Sequence, residues 1–212
     1  MGKTLSKASI RVHKGAAQIE EHALPNRQIN LLLARCRPDG ECEWVRTGVG
    51  NVSITPNMDL GLDQAGNVFV HVEGGAAFEG SNLPGNVPFL AKLNAEGKIL
   101  WALRAPGYNG SAAVAPDGSV FWAGPLNPGL RITRYSPDGQ LLWTRQPRVA
   151  GFDVHVDSVA VDDQGDCFVP GPSLGSEISF DGVTTPAAAG TETYLVKYSA
   201  AGKRAGPSRP RV

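Results

Sequence analysis

Residues 89–101 read Phe89-Leu90-Ala91-Lys92-Leu93-Asn94-Ala95-Glu96-Gly97-Lys98-Ile99-Leu100-Trp101. This is an apolar strand, a turn ending in glycine, and a return strand with tryptophan four residues after that glycine. The same order recurs as Gly40 with Trp44 and as Gly139 with Trp143. Between the copies runs a second pattern, glycine followed three residues later by phenylalanine: Gly66 with Phe69, Gly118 with Phe121, Gly165 with Phe168. Alternating self-similarity of this kind marks a repeat architecture, in which each unit buries its apolar face against a neighbour.

The strands entering the tryptophan turns are residues 32–36, 89–93 and 131–135, with a fourth copy at 194–198 before Gly202. Their turns are Arg-Pro-Asp-Gly, Asn-Ala-Glu-Gly, Ser-Pro-Asp-Gly and Ser-Ala-Ala-Gly. Glycine supplies the positive φ that ends such turns, and Pro and Asp favour their start. Counting back from the turn places the tryptophans across from Ala34, Ala91 and Thr133, small residues beside large rings. In the phenylalanine hairpins the middle position of the entering strand is also small: Gly61, Ala113, Ala160. That suits inner strands crowded near a central axis.

Turn-to-turn intervals are 57, 42 and 63 residues in the tryptophan series and 52 and 47 in the phenylalanine series. A unit of about 40–50 residues with four short strands is the blade of a β-propeller. The sequence therefore predicts an all-β fold, a β-propeller of about four four-stranded blades. Residues 12–17 and 24–25 parallel 72–77 and 83–84, so the first blade belongs to the series but lacks its opening strand. In the last copy Gly206 stands where tryptophan is expected. Both end blades are incomplete, which predicts a larger ring or one completed by oligomerisation. The organisation reads as an N-terminal extension (1–10), a repeat domain (11–203) and a basic tail (204–212).

Composition sets the outer limits. In 212 residues, 42% are apolar and 19% charged, the balance of a folded chain, and Gly 26 with Pro 16 fits many turns between short strands. Lys plus Arg equal Asp plus Glu at 20 each, so no net field favours nucleic acid or an anionic membrane as partner. No apolar run is long enough to span a bilayer as a helix. Residues 1–17 lack the apolar core of a signal peptide, which predicts a cytoplasmic chain or a piece of a secreted precursor.

The run Val159-Ala160-Val161-Asp162-Asp163-Gln164-Gly165-Asp166-Cys167-Phe168-Val169 is followed by Phe180-Asp181-Gly182 and Tyr194-Leu195-Val196-Lys197-Tyr198. It resembles the bacterial β-propeller repeat family, whose repeat runs Val-Ala-Val-Asp-x-x-Gly-Asn-x-Tyr-x-Thr-Gly, a spacer, then Phe-x-x-Lys-Leu-x-x-x-Gly-x-x-x-Trp. The segment from Phe89 to Trp101 and the run Gly66-Asn67-Val68-Phe69-Val70 fit it as well. The resemblance spans residues 11–203 and implies a propeller. Its shared residues are structural and imply no activity.

Few residues stand outside the repeat. Cys36 and Cys42 flank one turn, as a redox pair or half a metal site; the plainer account is a small apolar pair, since Leu93 with Ile99 and Tyr135 with Leu141 fill the equivalent places. Cys167 replaces Val68 and Val120 and reads as core. Asp162, Asp163 and Asp166 resemble part of a calcium loop but lack its distal Glu, and turn chemistry accounts for them. Arg35, Lys92, Arg134 and Lys197 share one position, as a ring for an anionic ligand or, more simply, as locally paired charges. In the connection 151–157, alternation would put Asp153, His155 and Asp157 on one face, where they suit polar ligand contacts or a metal, although a solvated loop explains them too. Trp122 lies outside the shared tryptophan position and is a candidate stacking platform for a sugar.

No nucleophile elbow, phosphate loop or paired-cysteine motif is present. The function expected is a non-catalytic scaffold for protein interaction or self-assembly, without cofactor or bound metal. Alternatives are a lectin-like propeller binding carbohydrate or a small molecule, and a propeller lyase or hydrolase using His155.

Overall fold

Every regular element in the described part of the computed structural model is a β-strand. The structure describes residues 8–14, 18–19, 22–23, 29–52, 58–78, 87–126, 129–150, 154–174, 177–180, 182–185 and 191–205. The chain divides into two units, Met1–Ala105 and Pro106–Val212.

Both units are built from antiparallel meanders. The first contains Met58–Leu62, Val68–Val72, Phe89–Leu93 and Ile99–Arg104 in that spatial order. The second contains Ser111–Val114, Val120–Pro125, Leu130–Tyr135 and Leu141–Arg145, and also Ala160–Val161, Cys167–Leu174, Thr191–Tyr198 and Arg204–Ala205. Each of these sheets is one phenylalanine hairpin followed by one hairpin of the tryptophan series, the last of which lacks the ring itself. The remaining large sheet, in the first unit, places Ala8–Lys14 beside the hairpin of Ile29–Cys36 and Cys42–Val52. Gly74–Phe78 pairs with the far side of Cys42–Val52, so this sheet also has four strands; among the described residues Ala8–Lys14 is its edge on the other side, where each meander carries one strand more. The strands at Ala8–Lys14 and Arg204–Ala205 thus begin or lie within the segments expected to be extension and tail.

The turns are alike because one hydrogen-bond pattern makes them. The first turn residue donates its amide to the carbonyl of the fifth: Arg37 to Glu41 at 2.8 Å, Asn94 to Lys98 at 2.9 Å, Ser136 to Gln140 at 2.7 Å. The glycine amide closes back on the first residue's carbonyl, with Gly40 at φ +96° and Gly97 at φ +76°. Leading polar side chains cap the loops: Asp63 Oδ1 accepts from the amides of Ala65 and Asn67, and Asp162 Oδ1 from those of Gln164 and Asp166.

A single extra residue separates the two sequence patterns. In the phenylalanine hairpins register is continuous, with Leu62 opposite Val68 and Gly61 opposite Phe69. In the tryptophan hairpins it shifts after the first pair. Cys36 faces Cys42 but Arg35 faces Trp44, Leu93 faces Ile99 but Lys92 faces Trp101, and Tyr135 faces Leu141 but Arg134 faces Trp143. Glu43, Leu100 and Leu142 are the extra residues of these β-bulges. The spacing of three against four is therefore a bulge, and it corrects the expected pairing of the tryptophans with Ala34, Ala91 and Thr133. In the last hairpin Tyr198 faces Arg204 and Lys197 faces Ala205 without a shift.

With this register, each meander carries one row of side chains across its strands: Gly61-Phe69-Lys92-Trp101, then Ala113-Phe121-Arg134-Trp143, then Ala160-Phe168-Lys197-Ala205. The small residue lies opposite phenylalanine, and the cation lies beside it. Central strands such as Val68–Val72 and Phe89–Leu93 are buried along their whole length. The core of the first unit includes Leu31, Leu33, Val70, Phe89 and Leu93, and that of the second Phe121, Ile132, Val169, Val196 and Tyr198.

Candidate functional site

The four equivalent cations each meet a carboxylate. Arg35 pairs with Glu43 at 2.8 Å, Lys92 with Asp63 at 3.0 Å, Arg134 with Asp117 at 2.7 Å, and Lys197 with Asp166 at 2.9 Å. Two of the charged heads also lie over aromatic rings: Arg134 Cζ is 5.2 Å from the Phe121 centroid and Lys197 Nζ 4.8 Å from that of Phe168. Such contacts contribute roughly 0.5–1 kcal/mol each. The Lys92–Asp63 pair is the most enclosed, with side chains 7% and 8% exposed.

Burial pushes the Asp63 carboxyl up, but hydrogen bonds from Asn67 and Lys92 outweigh it and hold the group below the usual aspartate range. Asp117 is lowered likewise, against burial, by hydrogen bonds from Ser119 and by the Arg134 charge. A carboxyl lowered by folding stabilises the folded state above its unfolded value, about pH 4, and that contribution disappears as pH falls through the folded value. Urea unfolding at a series of pH values should show stability dropping below about pH 4, with a shallower drop in Asp63→Asn. An unchanged slope would count against the pair.

A second constellation joins neighbouring sheets inside each unit. Trp44 Nε1 donates to the Ala95 carbonyl at 2.9 Å, Arg46 Nε to the Gly97 carbonyl at 2.8 Å, and Arg35 Nη1 to Ala95 at 2.7 Å. In the second unit Trp143 Nε1 donates to the Ala200 carbonyl at 2.9 Å and Arg145 Nε to Gly202 at 2.8 Å, and Arg134 also donates to Ala200. Both outer arginines lie over their tryptophans, at 5.8 and 5.5 Å from the ring centroids. The rings seat on the turn glycines: a Cβ at Gly97 would fall 2.6 Å from Trp44, and one at Gly202 3.0 Å from Trp143. Trp44-Val45-Arg46 and Trp143-Thr144-Arg145 are thus two copies of one lock, an outer strand clasping the next sheet's turn. The Trp-x-Arg signal was in the sequence; only its destination was not.

The single-residue candidates fare differently. Asp153 lies outside the described residues. His155 and Asp157 do share an exposed face, because Val154 and Val156 point into the core between them. Their amides donate to the carbonyls of Pro172 and Pro170 at 3.2 and 3.1 Å, so this segment runs strand-like beside Cys167–Leu174. Among the described residues no group of three His, Cys, Asp or Glu side chains is placed to hold a metal ion. Trp122 corrects the expectation of a stacking platform: it is 0% exposed, enclosed by the loop carrying Gly107 and Gly110 and by Gly124. A sugar has no access to that ring.

Cys36 and Cys42 correct the expectation of a plain apolar pair. They form a disulfide, which their facing positions beside the turn permit. Cys167 is buried, and burial pushes its thiol up to about 12, far from a reactive thiolate. Thiol titration without reductant should therefore find no reactive thiol in the native protein and one in denaturant. Three thiols in denaturant would refute the disulfide.

Asp59 and His71, not singled out in the sequence, face each other across a hairpin, with Nδ1 2.9 Å from Oδ2. Alternation from Gly61 and Phe69 would have paired them. The arrangement resembles a base with its orienting carboxylate, but the imidazole is fully buried and presents no nitrogen to solvent. No protein-family model matches the chain, and no curated protein matches it.

Proposed function

We propose that this chain is a scaffold of the β-propeller type, with about four blades, that acts by protein–protein contact and performs no chemistry of its own. The observation that carries this reading is the first sheet, whose outermost described strand, Ala8–Lys14, occupies a position that is inner in the three meanders. No described strand pairs with that edge, and an edge of this kind is a template for a strand from another polypeptide. Two features support the absence of chemistry: the four repeated cations are engaged by carboxylates, and the repeated tryptophans Trp44 and Trp143 are engaged by turns.

Self-association is the simplest use of such an edge, since identical chains carry the same unfilled position. Sedimentation velocity over two decades of loading concentration tests it. A sedimentation coefficient that rises reversibly with concentration supports the scaffold reading. A concentration-independent monomer in a folded sample overturns self-association.

A further inference from the structure

The lock has a donor half and an acceptor half, and among the described residues nothing seats on the acceptor turn 37–41. The acceptor is a five-residue turn whose second carbonyl takes the indole N–H and whose glycine seats the ring. The turns 94–98 and 199–203 have this form and are filled by Trp44 with Arg46 and by Trp143 with Arg145. The turn 37–41 is made by the same hydrogen bonds, with Pro38 aligned to Ala95 and Ala200, and Gly40 to Gly97 and Gly202. Yet no described residue lies within 4 Å of a Cβ built on Gly40. Residues 37–41 are all exposed, whereas Gly97 and Gly202 are buried under their rings.

We propose that the turn 37–41 docks a Trp-x-Arg outer strand carried by a second, different polypeptide of this repeat type. The inference rests on the protein-contact reading above and names the partner's chemistry. The chain's own complete donors, Trp44-Val45-Arg46 and Trp143-Thr144-Arg145, are engaged within it. Trp101 is followed two residues on by Leu103, and by sequence Gly206 and Ser208 fill the last copy's places, so neither supplies the indole and guanidinium together. A second copy of this chain therefore has no complete donor to spare.

Two features fit the turn to such a strand. Asp39 and Glu41 outnumber Arg37, which pairs with both, so the loop keeps an excess negative charge for an incoming guanidinium. The Cys36–Cys42 disulfide closes this loop at its base, where the filled turns have Leu93 with Ile99 and Tyr198 with Arg204. A turn stapled before it meets its partner loses less freedom on docking.

The test uses the full-length, isotope-labelled protein and a cyclised hairpin peptide of this chain's own residues 131–145 as the probe strand. Titration to about 1 mM peptide should shift the amides of Asp39, Gly40 and Glu41. Binding should weaken at least tenfold when the peptide carries Trp143→Ala. It should weaken similarly when the protein carries Gly40→Asn, which keeps a residue tolerant of positive φ but fills the seat of the ring. No shift at 37–41, shifts only at 94–98 or 199–203 from strand exchange, or equal binding to Gly40→Asn would each overturn the docking site. Concentration-dependent sedimentation with a silent titration would leave the scaffold reading standing and remove this inference alone.

Discussion

Gly171→Ala is expected to destabilise the unit Pro106–Val212 by about 3–5 kcal/mol, a large part of the roughly 5–15 kcal/mol that holds a domain folded. Gly171 lies within the strand Cys167–Leu174, opposite Tyr194. A Cβ there would fall 1.9 Å from the His155 carbonyl oxygen and 2.6 Å from the Tyr194 hydroxyl. The Tyr194 hydroxyl itself donates to that carbonyl at 2.5 Å, directly over the glycine. Backbone cannot yield as a flexible side chain can, so the segment 154–157 must leave the strand. With it go the amide bonds from His155 and Asp157 and the burial of Val154 and Val156.

Two companion variants separate the causes. Tyr194→Phe alone removes one hydrogen bond and should cost about 1 kcal/mol. Adding it to Gly171→Ala should rescue little, because the carbonyl is the closer obstacle. Denaturant midpoints with unchanged slopes measure all three. A loss below about 1 kcal/mol for Gly171→Ala would show that 154–157 does not pack on this strand.

These glycines mark the limit of what the sequence discloses. Gly97 and Gly139 were legible as turn residues because their neighbours announce a turn. Gly171 and Gly110 are needed for a residue elsewhere in the chain, and nothing adjacent to them says so. The bulge was equally concealed: a spacing of four rather than three is visible, but only pairing shows that Glu43, Leu100 and Leu142 take up the difference. The strands, turns and alternation of hairpins were readable, since local turn chemistry and apolar runs determine them. The cations were readable as a set, and their carboxylate partners were not, because Asp63, Asp117 and Asp166 occupy the first, third and fifth places of their loops. Comparison with the apolar pairs of the sister hairpins conceals the Cys36–Cys42 disulfide. Equivalence between repeats predicts position and leaves chemistry open.

Trp122→Ala should cost about 3–5 kcal/mol, the range for removing a fully buried large ring. The indole occupies a slot whose walls are glycine backbone: a Cβ at Gly110 or Gly124 would fall 2.5 Å from ring atoms, and one at Gly107 3.2 Å. Its cross-strand neighbours, Ala112 and Thr133, are small and are themselves buried, so little stands ready to fill the space left behind. Trp122→Phe should cost far less, within about 2 kcal/mol, because the Trp122 Nε1 atom is buried with no hydrogen-bond partner among the described residues. Phenylalanine gives up no bond there and relieves an unsatisfied donor, which offsets part of the lost packing. Free indole should then raise the unfolding midpoint of Trp122→Ala and leave the parent unchanged, since an apolar cavity binds a ligand of its own shape and binding stabilises the folded state. A surface platform would respond differently: Trp122→Ala would leave stability near the parent's, and indole would not restore anything. That outcome would return Trp122 to the list of ligand-stacking residues and remove it from the core.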